Sequence, residues 1–160
     1  MFYVDRKIEV RYAETDMMGV VYHGNYIVWM EIGRTAFLTA LGYNYKDMED
    51  SGVQAPITNV NITYKTPVKY GDDVFIRTWV KKSSPFRTIY RSIVFNSNGE
   101  ICVDAECQAA CVDKDSFKLV SFKKYDPVWY ETYQQIAVGD DEEEIIKNSQ
   151  YTVIEPPKKD

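Results

Sequence analysis

Residues 12 to 26 read Tyr12-Ala13-Glu14-Thr15-Asp16-Met17-Met18-Gly19-Val20-Val21-Tyr22-His23-Gly24-Asn25-Tyr26, an acid, a tight turn and a helix start within one short span. The active site is expected here. Asp16 follows a strand-like run, Gly19 lets the chain turn, and Gly24-Asn25 opens a long apolar helix whose first N–H groups have no acceptor inside the helix. Those free donors favour negative charge. A carboxylate on one side and an oxyanion cradle on the other is what hydrolysis of an activated acyl group needs.

Upstream, residues 2 to 12 place Val4, Ile8 and Val10 at even positions and Asp5, Lys7, Glu9 and Arg11 at odd ones. This period-two pattern predicts a half-buried strand that delivers Asp16. Downstream, Tyr26 to Leu41 carries Ile27, Met30, Phe37, Leu38 and Leu41, with Trp29, Ile32, Ala36 and Ala40 on other faces. The apolar surface wraps most of the way round, so the helix is expected to be buried. Gly42 suits its left-handed C′ position. Glu31 and Arg34, three residues apart, are expected to pair on the one polar flank.

Residues 43 to 56 read as a loop with a short helix at Tyr45 to Ser51. From Pro56 to about residue 124 the chain reads as a strand series: Ile57 to Lys65, Asp73 to Lys82, Phe86 to Asn96, Ile101 to Asp113 and a short Phe117 to Lys123. Tyr70-Gly71-Asp72-Asp73, Ser83-Ser84-Pro85, Asn96-Ser97-Asn98-Gly99 and Asp113-Lys114-Asp115-Ser116 supply turn chemistry. One early buried helix followed by long antiparallel strands predicts an α+β fold in which a curved sheet wraps the helix. Asp126-Pro127 is an N-cap with proline at N1, so a helix is expected over Val128 to about Val138. Asp140-Asp141-Glu142-Glu143-Glu144 reads as a solvated acidic run, and whether Ile145 to Ile154 is ordered stays open.

At 160 residues the chain fits one domain with a sizeable core. Its formal charge of -5 argues against a nucleic-acid partner, which needs a phosphate-binding surface. Cys102, Cys107 and Cys111 are odd in number and lie in one strand-like segment, which suits free thiols in a reducing, cytoplasmic compartment. One histidine and no Cys-x-x-Cys pair leave no expected metal, and no cofactor is expected. The N-terminus lacks the apolar run of a signal peptide, and the central helix is too short for a membrane span.

The run Glu14-Thr15-Asp16, two residues, then Gly19-Val20-Val21-Tyr22-His23-Gly24-Asn25-Tyr26 resembles the hotdog-fold acyl-CoA thioesterases, of the 4-hydroxybenzoyl-CoA thioesterase and Tol-Pal-associated types. Tyr64-Lys65-Thr66-Pro67-Val68-Lys69-Tyr70-Gly71-Asp72 is similar to a second patch of that family. The resemblance covers roughly residues 3 to 124. It implies a hotdog domain over residues 1–125; residues 126–160 have no counterpart in that family and read from their own sequence as a C-terminal helix and acidic tail, part of the same single domain or partly disordered. The resemblance also implies two subunits whose sheets join side by side, as a homodimer or a homotetramer.

By the same resemblance Asp16 is the catalytic carboxylate, and the backbone N–H of His23 polarises the thioester carbonyl at the helix start, with the His23 side chain implicated in some members. An ionised aspartate can act as general base on water or as a nucleophile giving a mixed anhydride, and both readings stay open. The N–H groups of His23 and Gly24 are the expected oxyanion donors. Tyr22, Asn25 and Tyr26 are expected beside the substrate, with Asn25 also suited to cap the helix. Asp16 has a plainer reading as a turn cap or a partner of Arg11, and Glu31 is the rival carboxylate.

For coenzyme A, Lys82, Ser83 and Arg87, with Lys81 and Ser84, flank a turn that offers cations and hydroxyls to phosphates. Lys118, Lys123 and Lys124 form another basic edge. The acyl pocket is expected near Trp29, Met30 and Phe37. The expectation is therefore an acyl-CoA thioesterase, the alternatives being an acyl-ACP thioesterase or dehydratase of the same fold, or a non-catalytic acyl-CoA-binding module.

Overall fold

The computed structural model describes residues 1–153. The strands are β1 (Val4–Ile8), β2 (Val53–Gln54), β3 (Ile57–Tyr64), β4 (Val74–Ser83), β5 (Arg87–Asn96), β6 (Ile101–Ala110) and β7 (Val112–Asp113). The helices are α1 (Asn25–Ala40), α2 (Tyr45–Asp50), α3 (Phe122–Tyr125), α4 (Pro127–Ile136) and α5 (Glu143–Lys147). Five strands form one antiparallel sheet in the order β1-β4-β5-β6-β3. Helix α1 packs against it chiefly over β1 and β4.

The helix ends as its sequence demands, with Gly42 at φ +82° and the Tyr43 N–H returning to the Leu38 carbonyl over 2.9 Å. Trp29, Met30, Phe37 and Leu38 are buried in the main core between helix and sheet. All-round burial is not observed: Ile27, Val28 and Ile32 lie exposed on the side away from the sheet. Nor does Glu31 pair with Arg34. Arg34 turns inward, 7% exposed, and donates to the Cys107 Sγ over 3.2 Å. Arg34 stands four residues after Met30 and four before Leu38, both in the core, so it follows the buried stripe of the helix and the thiol becomes its partner.

Strand β1 is shorter than its alternation predicts, and the chain turns through a 3₁₀ segment at Tyr12–Glu14. Val4 and Ile8 face the helix core as expected, yet Asp5 is also buried. The outer face of the sheet is not solvated, because the C-terminal segment crosses it. The expected strand at Phe117 to Lys123 is reduced to a single bridge, Val112 to Leu119, followed by α3. Phe122 is buried there, which a helical turn achieves by packing its ring against Trp129.

Helix α4 starts where Asp126-Pro127 predicts, with the Trp129 N–H donating to the Asp126 carboxylate over 2.9 Å. The chain then rounds the end of the sheet, Val138 and Gly139 donating to the carbonyls of Val80 and Lys81 beside a bulge in β4. On the outer face Ile145 packs with Phe75, Trp79, Ile93 and Phe95. The acidic run is not wholly solvated. Glu142 is 5% exposed, accepts from Trp79 Nε1 over 2.9 Å and pairs with Arg91. Ile154 lies outside the described residues.

Candidate active site

The segment from Glu14 to Asn25 is a closed loop. Thr15 bridges Val21, the Asp16 N–H donates to the Val20 carbonyl over 2.9 Å, and the Gly19 N–H returns to the Asp16 carbonyl over 2.9 Å. Gly19 sits at φ +75°, a conformation glycine adopts without a Cβ penalty. The Asp16 carboxylate accepts the Met18 N–H over 2.8 Å, so the plainer reading of Asp16 as a turn cap is realised. Its pairing with Arg11 is not, since Arg11 pairs with Glu14 at 3.2 Å.

Asp16, His23 and Tyr26 line one cavity of about 230 Å³ together with Tyr64, Lys65, Thr66, Pro67 and Cys102. Among the described residues the N–H groups of His23 and Gly24 have no acceptor, so the helix start presents two free donors, that of His23 on a residue lining the same cavity as Asp16. Gly24, at φ −68° and ψ −24°, is the N-cap residue, and no special backbone conformation demands glycine there. A Cβ at Gly24 would instead stand 2.8 Å from the Tyr22 ring. Asn25 is not the cap. It is the first helical residue, and its Nδ2 donates to the Glu14 carbonyl over 2.8 Å.

Tyr22 is exposed, its ring 4.3 Å from that of His23. Tyr26 is buried, and burial pushes its phenol up to about 12, against a stabilising donor from the Val68 backbone. Cys102, on the cavity wall, is likewise pushed up to about 11 by burial, so at neutral pH it lines the site as a thiol. Lys65 brings a cation. The Tyr64 hydroxyl donates to the His23 carbonyl over 3.0 Å.

Glu31 is exposed and lines a different cavity with Ile32, Thr35 and Ala36. Arg87 lies near the other end of α1, lining a cavity with Ser84, Leu38 and Tyr45. Ser83 bonds the Thr88 hydroxyl at 3.2 Å, and Lys82 is exposed. Within one chain, Lys82, Ser83 and Arg87 are therefore not brought to Asp16. Trp29, Met30 and Phe37 are packed in the core.

Residues that sequence reasoning missed are Glu14, Tyr64, Lys65 and Cys102. The signal for Tyr64-Lys65-Thr66 was present as the second patch, where strand β3 runs back to the helix start. Glu14 stands in the first motif as an acid, but nothing local marks its contacts with Trp29 and Asn25, and nothing local marks Cys102 as a wall of the cavity.

Among the described residues no helix is long and apolar enough to cross a membrane. A model of the thioesterase-like superfamily matches residues 10–128. The Bacillus subtilis protein named "Putative acyl-CoA thioesterase YneP" is 47% identical over 130 residues, spanning 81% of this chain and 94% of its own. Acyl-CoA thioesterase YbgC of Haemophilus influenzae is 27% identical over 118 residues, 73% of this chain and 86% of its own. A DHNA-CoA thioesterase from Staphylococcus aureus superposes with a TM-score of 0.83 at 36% identity, covering 97% of this chain and 100% of that one. With the antiparallel sheet wrapped on its central helix and these likenesses, the chain belongs to the thioesterase-like superfamily and is a hotdog-fold thioester hydrolase.

Proposed function

We propose that this enzyme hydrolyses acyl-CoA thioesters, with Asp16 as base or nucleophile and the N–H groups of His23 and Gly24 as the oxyanion site. The observation that carries this reading is the cavity lined by both Asp16 and His23, at a helix start where the N–H groups of His23 and of the adjoining Gly24 have no acceptor among the described residues. The names of its relatives in Bacillus subtilis and Haemophilus influenzae support coenzyme A as the carrier.

As general base, Asp16 takes a proton from water while the water oxygen bonds the acyl carbon. The carbonyl becomes an oxyanion held by the two N–H groups. Collapse of the tetrahedral species breaks the C–S bond, the thiolate takes up a proton, and a carboxylate and free thiol leave. As nucleophile, Asp16 instead bonds the acyl carbon and expels the thiolate, which takes up a proton, leaving a mixed anhydride that water opens to the product carboxylate and the restored Asp16 carboxylate. The His23 imidazole stands at the helix start where it can hand a proton to the departing sulfur.

The site is completed by a second copy. Strand β3 is an edge strand whose residues are mostly exposed, although Val60, Ile62 and Tyr64 pair across the sheet with Cys107, Ala105 and Val103 on the helix side. An antiparallel β3–β3 joint about a two-fold axis covers these residues and sets the Ile57 end of one copy beside the Tyr64 end of the other. The Ile57 end adjoins the β4–β5 hairpin, through the Ala110 N–H on the Pro56 carbonyl and the Cys111 N–H on the Phe86 carbonyl. Lys82, Ser83 and Arg87 of one copy then approach the Asp16 cavity of the other, where coenzyme A phosphates would need them.

The test is thiol release from short, long and aromatic acyl-CoA esters, run beside Asp16→Asn. Release by the wild type and near-complete loss in the variant, with its thermal unfolding unchanged, is the expected result. Undiminished release by Asp16→Asn overturns the role of Asp16. Binding of the esters without release from any of them overturns the hydrolytic reading.

A further inference from the structure

Glu14 sits at the base of the loop that carries Asp16, and it is 4% exposed. Its carboxylate accepts the Arg11 N–H over 2.8 Å, the Arg11 Nη2 over 3.2 Å and the Trp29 Nε1 over 3.0 Å. Its backbone carbonyl accepts the Tyr22 N–H over 2.8 Å and the Asn25 Nδ2 over 2.8 Å. One residue thus holds both ends of the segment that runs from Asp16 to the helix start, and through Trp29 it also holds the helix itself.

We propose that Glu14 is the positioning residue of the thioester site, fixing the separation between the Asp16 carboxylate and the N–H groups of His23 and Gly24. Asp16 lies two residues beyond it on one arm of the loop, and His23 and Gly24 lie at the foot of the other. Both arms meet at the Glu14 carbonyl, so a change there moves the carboxylate relative to the oxyanion donors. The side chain decides whether that junction can slide along the helix. Trp29 is fully buried at 0% exposure and its ring packs on Tyr26 at 4.9 Å, so its indole N–H is a fixed point.

A buried carboxylate is costly unless its lone pairs are filled. Here the one charged partner, Arg11, is mostly exposed, its side chain at 69%, and the buried donors are the neutral N–H groups of Arg11 and Trp29. A neutral, well-packed side chain would hold a core as well. What the carboxylate adds is two acceptor atoms aimed in different directions, at the 3₁₀ turn and at the helix, which is a device for geometry. Reaction rates are sensitive to such geometry: a misplacement of about 1 Å costs on the order of 100-fold.

The inference rests on the proposed roles of Asp16 and the helix start, and its test separates the two. Kinetics on an acyl-CoA ester, with binding of the non-hydrolysable thioether analogue of the same ester, are measured for Glu14→Gln, Trp29→Phe and Asp16→Asn. Glu14→Gln keeps the shape but sets an amide N–H against the Arg11 N–H. Expected for it is a fall in kcat of about 10- to 100-fold with KM and thioether affinity within about twofold, and for Trp29→Phe a smaller fall of the same kind. Wild-type kcat in Glu14→Gln, even with a lowered melting temperature, overturns the inference while an inactive Asp16→Asn leaves the proposed site standing. Should Glu14→Gln fail to fold, wild-type kcat in Trp29→Phe overturns it. Full turnover by Asp16→Asn instead removes the reading on which it rests.

Discussion

The Tyr64 hydroxyl donates to the main-chain carbonyl of His23 across 3.0 Å, joining the edge strand to the peptide that begins helix α1. That carbonyl belongs to the same planar unit as the Gly24 N–H, so holding one fixes the direction of the other. Tyr64, which lines the same cavity as Asp16 and His23, thereby acts on the proposed oxyanion site through this peptide.

Tyr64→Phe removes this bond and leaves the ring. The hydroxyl lies on a half-exposed side chain, 48% exposed, so its loss is expected to shift the melting temperature little. The Gly24 N–H becomes free to tilt, and kcat is expected to fall about 10-fold, less than the 100-fold or more that loss of a whole donor costs. Steady-state kinetics on one acyl-CoA ester reads the difference, and an unchanged kcat would remove Tyr64 from the account.

The central helix, the strand series and the Asp16 motif could be read from the chain because each is written in local spacing and turn chemistry. Arg34 and Asp5 could not. Both look like surface charges in sequence, and each is buried only because a distant segment covers it: the sheet with Cys107 for Arg34, and the C-terminal crossing with Arg77 for Asp5. Exposed Ile27, Val28 and Ile32 show the converse error, since apolar composition alone does not say which flank of a helix the sheet reaches. The site divided in the same way. Asp16, His23 and Gly24 lie within one short run, whereas Tyr64 and Cys102 join them only after β3 and β6 pair.

The Asp5–Arg77 pair is fully buried, at 2.7 and 2.6 Å, and the same guanidinium caps the carbonyls of Ile145, Asn148 and Gln150. Arg77→Met leaves a buried, unpaired carboxylate and frees the C-terminal crossing, a loss expected at about 3–5 kcal/mol. Asp5→Asn in the same chain should return only part of it, because the backbone carbonyls still lack their donor. Urea denaturation of both variants measures this, and full recovery in the double variant would show that the capping bonds contribute nothing.

Glu14 also predicts how stability varies with pH. Burial alone would raise its carboxyl, but the Arg11 backbone N–H, the Trp29 indole and the Arg11 guanidinium more than offset that and hold it below its usual 4.5. A carboxyl lowered by folding stabilises the fold fully above its unfolded value, and the benefit drains away as pH falls through the folded value. Wild type should therefore lose its stability advantage over Glu14→Gln as pH drops below about 4.5, with the gap constant above it. Melting curves from pH 3 to 7, a range about the reference carboxyl value, follow this; a gap that widens on acidification would contradict the assignment of the shift.

If Asp16 of one copy works with Arg87 of the other, damage to the two residues is complementary. Light scattering should first show two or four subunits, since a lone chain would leave the β3 edge bare. Homo-oligomers of Asp16→Asn should be inactive, and those of Arg87→Ala should bind acyl-CoA weakly through loss of a phosphate contact. When the two are mixed and allowed to exchange, random pairing makes half the dimers mixed, and each mixed dimer carries one intact site. Activity at low substrate should rise to about a quarter of wild type, as closed two-fold symmetry requires. If Arg87 served the Asp16 of its own chain, each mixed dimer would carry one site lacking the carboxylate and one lacking the cation. Exchange verified by mass spectrometry without recovery of activity would then refute the shared site.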